Sequence, residues 1–536
     1  MARPAAGAGL AILTAMRTPR FALAPLLYAA LAVSVAAAPA VVPPTAAAPP
    51  TAPTAVATLD ARIDALIHQP RFAHAAWGIA VVSLDSGQTL YTHRAEHLLL
   101  PASTAKLYTA ALVLDTLGAD YRIPTRLLGT KPVRQGRLDG PLILYGMGDP
   151  TLGTGSSADW ADQLAAQLAA HGVRRVHGDL IADDSYFTGP AEGAGWEASD
   201  LQSWYGAPTS ALSINENIVA VTVHPAAHAG EPARLDVDPG DAVPSLVDTL
   251  TTSATGTPPD INLYRAPGAS TLYAFGSTPV GAKPQRYRLA IADPALLAGQ
   301  RLQRALAAHG VKLEGRVRTL HWPQDDAYLL AHAQPLGEVL SQPLIDVLTS
   351  GLKRSQNLYL QNLLQIAGVK ARAKAMASPD PASPIPSGFQ SSEDWGIRAL
   401  YALLGRIGIA PSSALLEEGT GMSRQDLTTP AALVRLLQYL AAQPYATQLR
   451  SALPIAGIDG TLQWRMRNTP AAGNLHAKTG SMTYVDCLAG YVTSADGEHL
   501  AFAIMLNNYR HPAGAPRTSA DLDAIAELLA GFRNEH

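Results

Sequence analysis

The chain has 536 residues, which is more than a single hydrophobic core usually spans, so two or three domains are expected. Hydrophobic residues make up 48% and charged residues 15%, a composition typical of a folded protein and unlike that of a disordered one. The formal net charge of −3 gives no electrostatic basis for binding nucleic acid or an anionic membrane surface. A single cysteine, Cys487, excludes an intrachain disulfide and a multi-cysteine zinc site. It lies in an apolar run and is predicted to be a buried strand residue.

The N-terminus has the features of an export signal. Arginines precede an apolar run from Phe21 to Ala38 that ends in small residues, the pattern that a signal peptidase needs. We therefore predict a signal peptide over 1–38, with Met16 as an alternative start, and a Pro- and Ala-rich linker over 39–58. A retained membrane anchor is the alternative, since the run is barely long enough to span a bilayer. The prediction is an exported protein, with peripheral membrane association left open.

The folded part is predicted to begin near Leu59. Residues 77–84 form a continuous apolar strand candidate, 85–87 a turn, and 89–92 the returning strand of a hairpin. Apolar residues at helical spacing then predict a helix that begins at Ser103 and stops at a glycine. This places the Ser103 hydroxyl at the N-terminus of a helix.

The middle of the chain, roughly 120–325, differs from both ends because it carries short strand-like runs broken by Gly, Pro and Asp. Residues 376–391 are rich in Pro and Ser and are predicted to form a surface loop. Near the C-terminus, 487–494 and 499–506 are predicted to be strands joined by a turn, and 519–532 a helix. The layout indicates that segments from both ends build one domain, with a large insertion between them.

Three short motifs stand in order along the chain and carry the polar groups of acyl-transfer chemistry. They are S-x-x-K at Ser103 to Lys106, S-x-N at Ser355 to Asn357, and K-T-G at Lys478 to Gly480. At average composition, K-T-G arises by chance about once per few thousand residues. The sequence contains no H-E-x-x-H, C-x-x-C, phosphate-loop or G-x-S-x-G motif, so no metal or nucleotide cofactor is predicted.

The S-x-x-K spacing suits a nucleophilic serine. Serine is a weak nucleophile at neutral pH and needs a base within hydrogen-bond reach. On a helix, the residue three positions on lies on the same face, so the Lys106 amine can reach the Ser103 hydroxyl. To act as a base, Lys106 must be neutral part of the time, and both burial and the second cation at Lys478 lower a lysine pKa. The helix N-terminus also favours the developing oxyanion.

Together, the three motifs resemble the signature of penicillin-binding proteins and serine β-lactamases. Further segments narrow the resemblance to the D-alanyl-D-alanine carboxypeptidase/endopeptidase family, the class C low-molecular-weight penicillin-binding proteins. Those segments are 100–107 (LPASTAKL), 146–152 (GMGDPTL), 210–217 (SALSINEN), 418–424 (EGTGMSR) and 453–462 (LPIAGIDGTL). The resemblance covers nearly the whole chain from about 59 to 532, the middle segment included.

The resemblance implies an α/β (α+β) fold: a β-lactamase/DD-peptidase-like catalytic domain, with an antiparallel sheet flanked by helices, that carries large inserted β-rich domains. On this basis 59–120 and 326–536 are predicted to form the catalytic domain, and 121–325 two inserted domains. The implied activity is that of a periplasmic serine D-Ala-D-Ala carboxypeptidase and endopeptidase acting on peptidoglycan peptides. β-Lactam antibiotics would be covalent inhibitors, and the oligomeric state is left open.

The resemblance also assigns roles to residues. The catalytic positions are the nucleophile, its base, and two polar groups that relay protons and hold the substrate amide: Ser103, Lys106, Ser355 and Asn357. The substrate-binding positions are those around the terminal carboxylate, Lys478, Thr479, Gly480 and Ser481, and those around the diamino-acid side chain of the stem peptide, Asp200 and Arg424. The implied oxyanion hole consists of the backbone N–H groups of Ser103 and Ser481. His476 is expected to be a strand residue without a catalytic role.

The sequence departs from the family pattern at Glu418 and Thr420, which stand where Asp and Ser are usual in a Gly-rich turn. The exchange is expected to keep the turn. Two other functions were weighed against the peptidase. A β-lactamase would need a base that deacylates the enzyme quickly, and no E-x-x-L-N segment lies between Ser355 and Lys478. A non-catalytic wall-binding scaffold would have no use for a base beside a serine.

Overall fold

The computed structural model of the protein describes residues 58–324, 327–381, 383–512, 514 and 517–533. The predicted signal peptide, and all but the last residue of the predicted linker, lie outside these described residues and stay predictions. Within the described ranges, no helix is both long and apolar enough to cross a bilayer. The same ranges contain no group of three His, Cys, Asp or Glu side chains that could hold a metal ion.

Helices occur along the whole described chain. They are α1 (Leu59–Ile67), α2 (Lys106–Leu117), α3 (Trp160–Ala170), α4 (Pro294–Ala308), α5 (Ala327–Ala331), α6 (Leu344–Lys353), α7 (Asn357–Ala377), α8 (Ser392–Arg406), α9 (Pro430–Ala441), α10 (Ala446–Ala452) and α11 (Thr518–Ala530). The first twelve residues of α7, 357–368, are all buried. Because α7 begins at Asn357, the last residue of the S-x-N motif lies in the interior of the molecule.

Strands of two to nine residues are spread along the described chain. They are β1 (Ala76–Ser83), β2 (Thr89–His93), β3 (Pro124–Gly129), β4 (Val133–Arg134), β5 (Arg137–Leu138), β6 (Leu142–Gly146), β7 (Arg175–Val176), β8 (Leu180–Asp183), β9 (Ile218–His224), β10 (Arg234–Asp238), β11 (Ser245–Asp248), β12 (Thr251–Ser253), β13 (Asp260–Tyr264), β14 (Thr271–Pro279), β15 (Gln285–Ala290), β16 (Lys312–Leu313), β17 (Val317–Leu320), β18 (Gln334–Leu340), β19 (Ala414–Leu415), β20 (Leu427–Thr428), β21 (His476–Met482), β22 (Val485–Thr493) and β23 (His499–Asn507).

The first and last strands share one antiparallel sheet. Its order is β2-β1-β23-β22-β21. Alternate residues of a strand point to opposite faces. Ile79 and Val81 of β1 therefore pack into the core that contains α1 and α11, whereas Ala80 and Val82 pack into the core that contains α2, α6 and α7. This sheet, with helices on both faces, is the predicted antiparallel sheet flanked by helices.

The middle segment builds separate sheets around its own core. One sheet has the order β17-β8-β6-β3-β18 and another β16-β7-β5-β4, while β9, β10 and β15 form a third and β11 to β14 a fourth. Helices α3 and α4 pack against this core. Strand β18 pairs with β3 although it follows residue 325. The limits and number of the inserted domains stay predictions, and the mixed α/β fold class is confirmed.

The predicted elements near the chain ends are confirmed to within two residues: β1, β2, β22, β23 and α11. Cys487 is buried in β22, as predicted. His476 lies in β21 and its Nδ1 contacts the Arg450 carbonyl at 2.9 Å. The Pro- and Ser-rich loop spans 378–391, because α7 continues to Ala377 before it ends.

Candidate active site

Ser103 lies in a 3₁₀ turn, Ala102–Ala105, that directly precedes α2, and not in the first turn of the α-helix itself as the sequence predicted. Ala102 has a φ of 45°, a left-handed conformation that costs free energy for a residue other than glycine. Strand β21 packs against this turn. A Cβ on Gly480 would lie 2.6 Å from the Pro101 carbonyl oxygen. The glycine of K-T-G is therefore what lets β21 approach the serine.

Lys106 is fully buried and joins three parts of the chain. Its Nζ lies 2.8 Å from Ser103 Oγ, 2.6 Å from Asn357 Oδ1 and 2.8 Å from the Thr420 carbonyl oxygen. Burial lowers the pKa of Lys106 to about 7, against the opposing effect of two nearby carboxyl groups. A lysine with this pKa is neutral often enough near pH 7 to accept a proton from the hydroxyl beside it.

A second buried lysine contacts the serine of the S-x-N motif. Lys478 Nζ lies 2.8 Å from Ser355 Oγ and donates to the Thr479 carbonyl at 2.7 Å. Burial and then the charge of Lys106 lower the pKa of Lys478 well below its ordinary value. Ser355 has a φ of 55°, so this serine is held on strained backbone. The site thus contains two serine–lysine pairs whose amines influence each other's charge.

Asn357, at the start of α7, links α2 to the middle segment. Its Nδ2 donates to the Tyr205 carbonyl at 2.7 Å and lies 3.3 Å from Met422 Sδ. Its Oδ1 accepts from Lys106. The amide is oriented by contacts on both sides, and the segment that carries Tyr205 borders the site.

Thr479 of K-T-G contacts a residue that the sequence analysis did not single out. Its Oγ1 lies 2.8 Å from Thr461 Oγ1, and both hydroxyls are accessible to solvent. Ser481, two positions along β21, is exposed. Thr461 lies in the 453–462 segment quoted for the resemblance, and that segment was the signal that could have identified it.

Asp200 and Arg424 are close enough to interact electrostatically, but Arg424 forms its ion pair with a third residue, Glu197. Arg424 Nε donates to Glu197 Oε1 at 3.0 Å, and Tyr205 Oη donates to Asp200 Oδ1 at 3.2 Å. Burial raises the pKa of Asp200; among smaller effects, Glu197 raises this pKa and Arg424 lowers it. No motif or spacing in the sequence pointed to Glu197.

Comparison with known proteins accounts for this arrangement. The model of the D-Ala-D-Ala carboxypeptidase 3 (S13) family matches residues 59–530. The chain belongs to this family. The predicted resemblance is thereby confirmed, and so, at the level of D-alanyl-D-alanine carboxypeptidase, is the predicted enzyme class.

Relatives of this S13 enzyme share most of its length. The D-alanyl-D-alanine carboxypeptidase of Actinomadura sp. (strain R39) is 34% identical over 482 residues, which are 88% of this chain and 84% of the relative. The D-alanyl-D-alanine carboxypeptidase DacB of Haemophilus influenzae is 27% identical over 442 residues, 81% of this chain and 85% of the relative. The crystal structure of penicillin binding protein 4 (dacB) from Haemophilus influenzae superposes with a TM-score of 0.73 at 26% identity, covering 87% of this chain and 97% of that one.

The Gly-rich turn of this S13 enzyme, residues 418–423, packs against the segment that carries Ser103 and Lys106. Gly421 has a φ of 77°, and a Cβ there would lie 1.8 Å from the Ala102 carbonyl oxygen. The Gly419 carbonyl accepts from Thr109 Oγ1 on α2 at 2.7 Å. The turn therefore packs directly on the backbone that carries the nucleophile candidate, and Glu418 holds it closed, as expected for this departure from the family pattern.

Proposed function

We propose that this S13 enzyme is a serine-type D-Ala-D-Ala carboxypeptidase and DD-endopeptidase that acts on peptidoglycan stem peptides and cross-links through an acyl-enzyme on Ser103. The observation that carries the proposal is the 2.8 Å contact between Ser103 Oγ and Lys106 Nζ. The lysine is fully buried, with its pKa lowered to about 7. A hydroxyl beside a partly neutral amine is an activated nucleophile.

Acylation begins when Lys106 takes the Ser103 proton and Oγ attacks the carbonyl carbon of the penultimate D-Ala. The carbonyl oxygen becomes an oxyanion, which the backbone N–H groups of Ser103 and Ser481 would stabilise. Collapse of the intermediate breaks the peptide C–N bond. The leaving amine takes a proton, which the Ser355 hydroxyl would deliver from Lys478; their 2.8 Å contact supports this relay.

Water then attacks the ester carbonyl and gives its proton, through Ser355, to Lys478, which lost one to the leaving amine. The Ser103 Oγ–C bond breaks, and Oγ takes back the proton that Lys106 holds, so both lysines return to their starting states. The carboxypeptidase and endopeptidase reactions differ only in the leaving amine. In the first it belongs to free D-Ala, and in the second to the cross-linked side chain of another stem peptide. One acyl-enzyme serves both reactions.

The terminal carboxylate of the substrate would lie beside the two threonine hydroxyls of Thr479 and Thr461, with Ser481 next to them and Gly480 keeping the strand close. Lys478 attracts the substrate carboxylate only when its own amine is protonated. Its pKa is lowered by burial and by Lys106, and an incoming carboxylate favours its protonated form. Binding of this substrate would therefore load Lys478 with the proton that the leaving amine later needs.

The diamino-acid side chain of the stem peptide would contact Asp200 and Arg424. Asp200 offers a carboxylate to the distal ammonium group, whereas Arg424 forms an ion pair with Glu197. Both partners of that ion pair are exposed, with 38% and 53% of their side chains accessible. Exposed pairs of this kind contribute about 0–1 kcal/mol, so a substrate group can displace Glu197.

Penicillin would acylate Ser103 and stay attached. A β-lactamase needs a base positioned to activate the deacylating water, and the sequence offers no E-x-x-L-N segment for that role. We further propose that the enzyme works in the periplasm after export by its N-terminal signal. The inserted segment would border the substrate through Tyr205 and its neighbours.

The test is to incubate the purified protein with benzylpenicillin and map the adduct by mass spectrometry, with Ser103→Ala as the control. A long-lived adduct on the Ser103 peptide, missing from the control, is the expected result. Rapid release of hydrolysed penicillin would instead identify a β-lactamase. A folded protein that forms no adduct would favour a wall-binding scaffold. Release of D-Ala from a pentapeptide and cleavage of a cross-linked dimer, measured in parallel, separate the two peptidase activities.

A further inference from the structure

The carboxylate of Glu418 is the centre of the Gly-rich turn. The side chain is 1% exposed. Its Oε1 accepts backbone N–H bonds from Gly421 at 2.5 Å and Met422 at 2.9 Å. Its Oε2 accepts from the backbone N–H and the hydroxyl of Thr420, at 2.9 and 2.7 Å, and from Trp196 Nε1 at 3.2 Å. Every one of these contacts uses an oxygen as acceptor, which an ionised carboxylate supplies on both of its oxygens.

A second buried carboxyl group lies against the first. Asp426 Oδ1 accepts the backbone N–H of Glu417 at 2.7 Å, and the Asp426 side chain also hydrogen-bonds the Glu418 carboxyl. Asp426 Oδ2 is buried and has no N–H or O–H donor among the described residues. A hydrogen bond between two carboxyl groups requires a proton on one of them. Burial and the neighbouring Glu418 raise the pKa of Asp426 well above its ordinary value, which favours the protonated form of Asp426.

The turn that Glu418 closes also holds the amine of Lys106. Thr420 donates two hydrogen bonds to Glu418, from its backbone N–H and its hydroxyl. The carbonyl of the same residue accepts from Lys106 Nζ at 2.8 Å. Gly421, also bound by Glu418, packs on the Ala102 carbonyl beside the nucleophile candidate. One buried carboxylate therefore fixes both the acceptor and the backbone contact that orient Lys106 toward the serine.

We propose that Glu418 is a positioning residue: with the protonated Asp426 it forms a singly charged carboxyl pair that holds the Thr420 carbonyl against Lys106 and sets the charge balance of the site. The inference rests on the proposed function, because the effect is felt through Lys106 acting as a base. With Asp426 protonated, Glu418 supplies the main negative charge that Lys106 experiences, in line with Glu418 having the larger effect of the two carboxyl groups on the Lys106 pKa.

Several other charged and titratable groups lie close to this carboxyl pair or to Lys106. The charge of Lys106 lowers the pKa of Lys478 on β21, while Glu418 and, to a smaller extent, Asp426 raise the pKa of Lys106. On α8, Glu393 faces Glu418 and has its pKa raised to about 8, first by burial and then by Glu418. These groups leave Glu418 as the negative charge that opposes the desolvation of Lys106. Tyr401, also on α8, faces Asp426 and Glu417 and has its pKa raised by its own burial.

The Glu418 charge sets the direction in which the pH dependence of acylation should shift. An opposite charge nearby favours the protonated form of a lysine, so loss of the Glu418 charge lowers the pKa of Lys106. The acylation rate falls at low pH because Lys106 becomes protonated. In Glu418→Gln this acidic limb is expected to move to lower pH by about one unit. In Glu418→Asp, which keeps the charge, and in Asp426→Asn, which mimics a protonated carboxyl, it stays within a few tenths of a unit of the wild-type position.

The experiment is to measure the rate constant for acylation of the full chain by a fluorescent penicillin from pH 5 to 9, in the wild type and the three variants. Thermal unfolding of each variant confirms that it is folded. A shifted limb in Glu418→Gln alone supports the inference. A folded Glu418→Gln with an unshifted limb overturns it, as does an Asp426→Asn limb that moves as far as that of Glu418→Gln. If Glu418→Gln unfolds, a shifted limb in Glu418→Asp or Asp426→Asn overturns the inference, and two unshifted limbs support it. A wild type that is not acylated overturns the proposed function itself, which keeps the two failures apart.

Discussion

Replacing Gly421 by alanine should lower the rate of acylation by more than the loss of stability can explain. The new side chain has two separate costs. The left-handed φ of 77° disfavours any L-residue by about 1–2 kcal/mol. In addition, the Cβ would lie 1.8 Å from the Ala102 carbonyl oxygen, so the two groups must separate to at least 3.0 Å. The 3₁₀ turn that carries Ser103 therefore has to shift by about 1 Å.

A misplacement of about 1 Å at reacting groups lowers rates by about 100-fold. We expect Gly421→Ala to lose about that factor in the rate of acylation by a fluorescent penicillin, equivalent to about 2.7 kcal/mol. Gly497→Ala is the matched control. Gly497 has a φ of 92° in the turn between β22 and β23, and a Cβ there would meet no atom within 4 Å. This variant incurs the backbone cost alone.

Both variants are expected to unfold a few degrees below the wild type, and only Gly421→Ala to be slow in acylation. Thermal unfolding and stopped-flow acylation of the purified chains measure the two effects separately. The reasoning is refuted if Gly421→Ala acylates within threefold of the wild type, or if Gly497→Ala is equally slow. The second outcome would mean that acylation tracks general stability and not the position of the nucleophile turn.

Three further outcomes are expected. Lys106→Met should lose about 1,000-fold in acylation, the scale of a general base, and its melting temperature should fall by a few degrees, because the Asn357 and Thr420 oxygens lose their buried donor; a folded variant that acylates within tenfold of the wild type would contradict the role of Lys106. Thr461→Val removes the partner of Thr479 and should raise KM for a D-Ala-D-Ala peptide about threefold to tenfold, the value of one hydrogen bond; an unchanged KM would exclude Thr461 from carboxylate binding. Glu197→Gln frees Arg424, so steady-state assays should show a lower KM for stem peptides whose diamino acid has a free carboxylate, and little change when that carboxylate is amidated.

Local patterns were sufficient for the parts of the fold that local forces determine. The apolar run of β1 and the helical spacing after Ser103 gave these elements to within a few residues, and the order of the three motifs gave the residues that meet in the site. The 3₁₀ turn at Ala102 was missed because its left-handed backbone is imposed by packing against β21 and Gly421, which are distant in sequence.

The missed parts of the site share one physical cause. Lys106 is held by a backbone carbonyl, that of Thr420, and any residue type has one. Glu418 and Asp426 are, by sequence, two acidic residues of a loop, and only their burial side by side raises the pKa of Asp426. Glu197 is an exposed carboxylate whose importance depends on where Arg424 points. Side-chain identity alone carries none of this information.

The sheet order β2-β1-β23-β22-β21 has a consequence for biosynthesis. Strand β1 emerges early, but its neighbour β23 is among the last segments to be made, and β21 with its K-T-G motif also comes late. Until then one edge of β1 lacks its partner strand β23, and an unpaired apolar edge is prone to aggregation. A chain that is cut short before β21 has the Ser103 hydroxyl without Lys478 and without a completed sheet. Under the proposed mechanism, acylation by penicillin would therefore report on full-length, folded protein.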